Sequence, residues 1–406
     1  MLRGGAPVRR VPAFSMTLRK IIFWLHLSVA LLVGGFIFVM AITGIAMAYK
    51  NHLIDWAESR YQCTPPSDRA ARLPAVALLQ SGRAGSSAIP LRMTLHHDPT
   101  AATEFLFRND RVLFVNPYTG SLLGEGATGL RHFFHMIENI HRFLGFGGTS
   151  YQETAKAFTG ACSLALVLLI LTGIILWWPY KWKWQKVQTA MLFQRGLTRH
   201  TRDRNWHNVI GFWGAIPLFV IALTGFLMAY PWSTDLLDQL FSGKPAPARQ
   251  QQTRTDLSEG SLKDLDGDRF ERLWQIAQNQ EPSWQTIELQ IPSSEKGPVT
   301  FTIDQGNRIR PDLWTRITVE RNTGAVLLSD RYSNQSVVRQ LRAWVKPVHT
   351  GEIGSYFGET LCAVVAAGVL LLVWTGFALA WKRFFGRKSE QPSSPEISSK
   401  PMKSPR

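Results

Sequence analysis

Four histidines stand where an apolar chain has little ordinary use for an ionisable side chain. His26 lies well inside the apolar stretch 19–49, and His207 holds the matching place in a second stretch. There Thr224-Gly225 falls on Thr43-Gly44, and Met228-Ala229-Tyr230 falls on Met47-Ala48-Tyr49, without a gap. His141, in NIHRFLGFG, and His349, in KPVHTGEIG, each precede a further apolar run, and those runs echo each other at Thr172-Gly173 and Thr375-Gly376. A histidine kept in a membrane span faces a bundle interior, where it binds or titrates something. One alone reads equally well as an interhelical hydrogen bond. Two duplicated pairs read as ligands, because facing neutral imidazoles on helices suit the axial positions of a non-covalent b-type haem. A proton relay is the rival reading; it would recruit Asp or Glu inside the spans, and none is expected there.

Neighbouring residues fit a flat macrocycle. Ala30 follows His26 by one turn, and Gly211 and Gly214 follow His207. Arg19 and Arg204 lie on the ligand faces of their helices, while Arg142, Arg342 and Lys346 flank the other pair; these cations are candidates for the propionates. The remaining histidines carry less. His96 and His97 end a strand and read as solvated, His132 and His135 as surface residues, and His52 and His200 as interfacial. The Thr-Gly steps read as helix-packing contacts.

The elements that must position these residues are membrane spans. Of 406 residues 45% are hydrophobic, concentrated in four blocks at 21–49, 157–178, 206–230 and 361–381. Each approaches or exceeds the ~20 residues that cross ~30 Å of hydrocarbon. The first block is too long for the core of a signal peptide and is expected to stay in the mature protein. The net charge of +16 raises nucleic acid as a partner, but its placement argues against that. Arg3, Arg9, Arg10, Arg19 and Lys20 precede the first span; Lys181, Lys183, Lys186, Arg195, Arg199, Arg202 and Arg204 link the second and third; Lys382, Arg383, Arg387 and Lys388 follow the fourth. The positive-inside rule places all three clusters in the cytoplasm, with Trp178, Tyr180, Trp182 and Trp184 as an interfacial belt. Three scattered cysteines, Cys63, Cys162 and Cys362, read as small apolar side chains rather than a disulfide framework.

The expected order is a cytoplasmic tail (1–15), span one (16–49), a periplasmic lobe with an amphipathic segment (50–156), span two (157–180), a basic cytoplasmic loop (181–205), span three (206–230), a second lobe with its amphipathic segment (231–356), span four (357–382) and a cytoplasmic tail (383–406). Lobe one reads as a helix at 73–83 and strands at 91–97, 104–109 and 111–116, with turns at Asn109-Asp110 and 117–120. Lobe two reads as a helix at 268–280 and strands at 284–290, 299–304 and 314–320, closed by a turn at 322–324. Both copies start on the cytoplasmic side, so the repeats are parallel, related by an axis along the membrane normal. Equivalent residues then share a depth, pairing His26 with His207 and His141 with His349. Seventeen residues separate His26 from Thr43, ~26 Å of helix at 1.5 Å per residue, so the pairs sit at opposite faces of the bilayer.

Arg19-Lys20 with His26, the NPYTG turn, IHRFLG (140–145), RNWHNVIG (204–211) and VHTGEIGSYFGE (348–359) together resemble the PepSY-associated transmembrane family, and within it the inner-membrane ferric-siderophore reductases of Gram-negative bacteria. The resemblance covers about residues 16–385. It implies an integral membrane α-helical fold of four transmembrane helices in two parallel repeats, with two small periplasmic PepSY-like α+β lobes. It implies two b-type haems at His26, His207, His141 and His349, and electron flow across the bacterial inner membrane to a ferric siderophore bound between the lobes. A membrane quinol or a separate cytosolic reductase is the expected donor, since no dinucleotide fingerprint occurs. Membrane lipid is the other partner, and nucleic acid is not one. The alternative is a non-redox PepSY membrane protein, either a permease or a sensor that binds a peptide or partner.

Overall fold

The computed structural model describes residues 13–67, 70–86, 88–178, 184–242, 267–292, 297–306 and 309–386. The N-terminal tail up to residue 12, the belt residues Tyr180 and Trp182, the basic residues Lys181, Lys183, Arg387 and Lys388, and the C-terminal tail beyond 386 lie outside the described residues. In chain order the elements are α1 (Ala13–Met47), α2 (Lys50–Glu58), α3 (Ala75–Ala84), β1 (Arg92–His96), β2 (Thr103–Leu106), β3 (Val112–Val115), β4 (Leu122–Glu125), α4 (Thr128–Phe143), α5 (Gln152–Trp177), α6 (Trp184–Met191), α7 (Arg199–Ala229), α8 (Pro231–Ser242), α9 (Gly267–Gln280), β5 (Thr286–Gln290), β6 (Val299–Asp304), β7 (Trp314–Val319), β8 (Val326–Arg331), α10 (Val337–Thr350) and α11 (Ser355–Phe385).

Four helices, α1, α5, α7 and α11, are long and apolar enough to cross a membrane. Their outward side chains stay uncovered, as Leu32 at 76% and Ile216 at 79% exposure illustrate; apolar surface of this extent suits lipid rather than water. α5 and α11 each pack on both α1 and α7, so α1 and α7 face one another across the bundle. Val33, Ile37, Cys162, Val167, Ala215, Leu218 and Val369 meet in the middle as a dry core. The Cys162 and Cys362 thiols are free, and Cys162 belongs to this core as a small apolar side chain.

The expectation of two small lobes is corrected by the sheet. All eight strands form one antiparallel sheet in the order β4-β3-β2-β1-β5-β6-β7-β8. β1 and β5 open the two meanders and pair along their whole length, Arg92 opposite Gln290 through His96 opposite Thr286. Both alternate buried and half-buried side chains, so either left alone would be an open edge with an apolar face; pairing them removes two edges at once. α3 and α9 pack together, and a single core joins Leu78, Met93 and Phe105 to Phe270, Trp274, Phe301 and Ile303. The outermost strands β4 and β8 were not anticipated: LLGE is short and contains glycine, and VLLSDR is exposed along most of its length, so neither alternates. Asn109-Asp110 does turn the chain, through a short 3-10 segment with Asp110 at φ 57.

The join is testable. Thr94 and Glu288 form a non-hydrogen-bonded pair across it, with Cα atoms at about 4.5 Å, inside disulfide range. With the native cysteines replaced, Thr94→Cys combined with Glu288→Cys should cross-link under mild oxidation and migrate faster on a non-reducing gel. Two independent lobes would leave the thiols free.

Candidate functional site

Each of the four histidines meets a threonine from another helix. His26 Nδ1 lies 2.8 Å from Thr172 Oγ1 and His207 Nδ1 lies 3.0 Å from Thr375 Oγ1. At the other end of the bundle, next to the sheet, His141 Nδ1 lies 2.9 Å from Thr43 Oγ1 and His349 Nδ1 lies 3.1 Å from Thr224 Oγ1. In every case the threonine hydroxyl proton is already committed to the carbonyl one turn back in its own helix, at 2.7 Å for Thr172, 2.6 Å for Thr375, 2.8 Å for Thr43 and 2.7 Å for Thr224. A hydroxyl has one proton to give, so Thr Oγ1 accepts and His Nδ1–H donates. His349 Nδ1 is also 3.0 Å from the Ile221 carbonyl, which can only accept. The proton is thereby fixed on Nδ1 of all four rings, and Nε2 carries the lone pair.

The glycine after each threonine completes the seat. A Cβ on Gly173 would lie 3.5 Å from His26 Cε1, on Gly376 3.6 Å from His207, on Gly44 3.6 Å from His141 and on Gly225 3.2 Å from His349. A side chain at Gly225 would crowd the His349 ring, and at the other three the Cβ position is already in van der Waals contact with the ring. The Thr-Gly steps are therefore part of the site rather than plain packing contacts, and these are the residues sequence reasoning missed. Their signal was visible: the same dipeptide stands at matching places in the four spans, Thr43-Gly44 with Thr224-Gly225 and Thr172-Gly173 with Thr375-Gly376. Gly211, expected to make room, faces the Leu372 side chain instead, whereas Gly214 has open space before it.

Two of the four rings, His141 and His349, come together in the structure. The His141 and His349 ring centroids are 6.4 Å apart with the planes at 62°. An imidazole nitrogen binds a metal ion at about 2.0–2.1 Å and stands about 1.1 Å in front of its ring centre, so two rings on opposite sides of one ion have centroids about 6.3 Å apart. His26 lies within electrostatic reach of His207. Burial, followed by the neighbouring His349, pushes His141 down to about 4, and burial lowers His349 as well. Both rings are therefore neutral at neutral pH, the form that binds metal. Among the described residues no group of three or more His, Cys, Asp or Glu gathers to hold a metal ion. Two neighbouring imidazoles supply two nitrogen donors and no more, so the residues present fit a haem, which brings its own ring donors.

The helices that deliver the sheet-end pair are held by charge. α4 packs on α1 and α5, and α10 on α7 and α8. On α4, Glu138 accepts from Lys50 at 2.9 Å and from Arg142 at 2.8 Å. Burial raises the Glu138 carboxyl, but these two cations overcome it and bring it to about 2. Arg131 grips Glu58 at 2.6 Å through two nitrogens. α10 ends at Gly351, φ 81, directly after the turn that carries His349.

The expected propionate cations divide. Arg19 donates to the Leu176 carbonyl at 2.6 Å and the Trp178 carbonyl at 3.1 Å, capping the end of α5. Arg142 is tied to Glu138, and Arg342 to Asp235 at 2.8 Å. Arg204 and Lys346 are exposed. His96 is half-buried and paired, its Nε2 2.8 Å from Glu104 across the strand pair, whereas His97 is exposed as expected and packs edge-on against Trp284. His132 and His135 are exposed as expected, although His135 reaches to 4.0 Å from Asp110. One expectation is overturned. Glu359, inside α11, is a buried carboxylate within a span, and His52, read as merely interfacial, lies 3.0 Å from it.

The model of the PepSY-associated TM region matches residues 23–383, a stretch that takes in all four long helices, the sheet and all four histidines. Comparison with curated proteins gives no match. With most of its length covered by that match and four helices fit to span a bilayer, the chain belongs to the family of membrane proteins built on the PepSY-associated TM region.

Proposed function

We propose that this protein is a haem-dependent membrane reductase that carries electrons across the bacterial inner membrane to a ferric chelate, such as a siderophore, on the sheet side. The observation that carries the reading is the fourfold His–Thr–Gly seat, which fixes Nδ1–H and leaves Nε2 free on each ring, with His141 and His349 6.4 Å apart. A b-type haem bound at His26 with His207, and another at His141 with His349, would supply the one-electron chemistry.

The chain's own residues do the rest. Thr172, Thr375, Thr43 and Thr224 hold each ring in one tautomer and orientation, the outer-shell task that raises ligand basicity. The dry core around Val33, Val167, Leu218 and Val369 separates the two ends and keeps water out. In this reading the two halves are parallel repeats, the basic clusters are cytoplasmic, both termini are cytoplasmic and the sheet is periplasmic. The donor is a quinol or a separate cytosolic reductase. Fe(II), formed by reduction, binds hard oxygen ligands less tightly, which releases the metal for uptake.

For the chelate, the cavity beside α4 is favoured over a position between the lobes, because the lobes are fused in one sheet. This cavity of about 560 Å³ is lined by Lys50, Asp110, Arg131, His135, Glu138 and Arg142. Its volume falls in the range of small-molecule sites, and α4 carries His141 on the adjacent flank.

The purified protein should show a Soret band with two haems per chain. His207→Ala or His349→Ala should each reduce this to one, and His349→Ala should abolish chelate reduction while the cytoplasmic-side site stays reducible. A colourless protein, or parental chelate reduction by His349→Ala, would overturn the reading. Thr43→Val keeps the shape of the threonine and removes the acceptor for His141, so haem affinity at that site should fall roughly 10–100-fold, with Thr43→Ser restoring it. A haem titration of both variants measures this. A reporter fused after Arg383 should be active only if it works in the cytoplasm.

A further inference from the structure

The segment VHTGEIGSYFGE gives one residue, His349, to the site described above; most of the others gather around a second feature. Gly351, two residues after His349, lies backbone to backbone against Gly358, so close that a Cβ on Gly358 would collide with the Gly351 carbonyl oxygen. That contact sets Glu359 into the bundle, where it is 3% exposed. Its Oε2 lies 3.0 Å from Nε2 of His52 on α2 but off the hydrogen-bond line, so this buried oxygen has no aligned donor. The His52 side chain is 28% exposed and stacks on Tyr356 at 3.9 Å. The pair therefore joins solvent, through His52, to a dry carboxylate held next to the end of the helix that carries His349.

The other groups around the pair are accounted for. Glu352 bears on Glu359 and accepts from Asn51 at 2.9 Å. Lys50 turns away to Glu138. Cys362 lies one turn further along α11, and the Tyr49 hydroxyl meets Thr360 at 2.6 Å.

A purely mechanical role is already filled. Aligning Thr172 with Thr375 and Tyr49 with Tyr230 puts Ala157 at the place of Thr360, and Tyr230 donates to the Ala157 carbonyl as Tyr49 meets Thr360. Both halves thus have the tyrosine clasp. The same alignment puts Lys156 at the place of Glu359 and Ser233 at the place of His52, so the acid–base pair stands at one of the two equivalent junctions between the halves and the frame does not require it.

We propose that the His52–Glu359 pair takes up one proton from the water on the sheet side when an electron reaches the histidine site next to it. This rests on the electron-transfer reading. Before the electron arrives the pair shares one proton and has no net charge. The electron adds one negative charge at the site; the proton from water leaves Glu359 a carboxylic acid and His52 an imidazolium, adding one positive charge. When the ferric chelate takes the electron, the proton returns to water. Only an O–H or N–H bond forms and breaks. In a low-dielectric bundle an uncompensated charge is costly, and a proton entering nearby offsets it.

The test is the pH dependence of the midpoint potential of the sheet-end site in the full-length protein, that component being assigned by its loss in His349→Ala. In the wild type the potential should fall as pH rises, by up to about 59 mV per tenfold change in proton concentration. Glu359→Gln should flatten the slope and Glu359→Asp should restore it. Redox-difference infrared spectra should show a carboxylic C=O band on reduction that Glu359→Gln lacks. Should Glu359→Gln fail to fold, His52→Gln at its half-exposed position should flatten the slope as well. A Soret band with a slope that is flat in the wild type, or unchanged in the variants, overturns the proton site alone. Absence of any Soret band removes the electron-transfer reading and this inference together.

Discussion

An imidazole inside an apolar bundle must place its N–H, and here a threonine hydroxyl from a neighbouring helix receives it. The cost of leaving that donor unpaired, about 1–3 kcal/mol for a buried polar group, is large enough to dictate where the helices sit. Because the threonine gives its own proton to its helix backbone, it has no choice but to accept, and each ring is left with one lone pair pointing away from the bond. The rest of the bundle follows from repeating this contact four times. α1 carries a histidine towards one end and Thr43 towards the other, and α7 does the same with His207 and Thr224. A slide of either helix would disturb both sites, so their separation is fixed by the covalent rise of a helix rather than by loops.

The two histidines that do not lie on spans need a different support. His141 and His349 ride on α4 and α10, each amphipathic and packed on the bundle, α4 against α1 and α5 and α10 against α7 and α8. Glu138, shared by Lys50 and Arg142, ties α4 to the start of α2, and Arg131 with Glu58 adds a second tie. These pairs are half-buried, and exposed ion pairs contribute little; their effect is to choose a register for α4 that packing alone would leave open. The single eight-stranded sheet has the matching task. By joining β1 to β5 it holds the roots of α4 and α10 on one rigid body, which the two rings need in order to face each other at 6.4 Å.

Most of this plan can be read in the chain. The duplicated His26 and His207, the four apolar blocks and the helix-then-strands order of each lobe follow from hydropathy and spacing, because those are local properties. What was not legible depended on a partner distant in sequence. Nothing in MTLHH or TIELQ says that β1 will pair with β5, since an edge strand and a paired one alternate in the same way. Arg19 reads as a cation for an anionic ligand, yet the bare carbonyls at the end of α5 claim it. The Thr-Gly steps were visible but undervalued, because small-residue motifs in spans usually mean packing, and only the positions of the rings reveal the hydroxyl as an acceptor.

The sequence correspondence between the two halves also makes its own departures informative. Where both halves keep a feature, such as the seat of each ring or the tyrosine clasp at the head of each long helix, the frame or the paired site requires it. Where they differ, the frame is indifferent and some task particular to one half remains. Lys156 and Ser233, at the second junction between the halves, occupy the places that Glu359 and His52 hold at the first, and a buried carboxylate is far harder to tolerate in a span than a lysine that can reach the interface. The second half therefore bears the more costly residue at a point where the first half manages without it. That expense falls beside His349, at the sheet end of the bundle, and not at the end that holds His26 and His207.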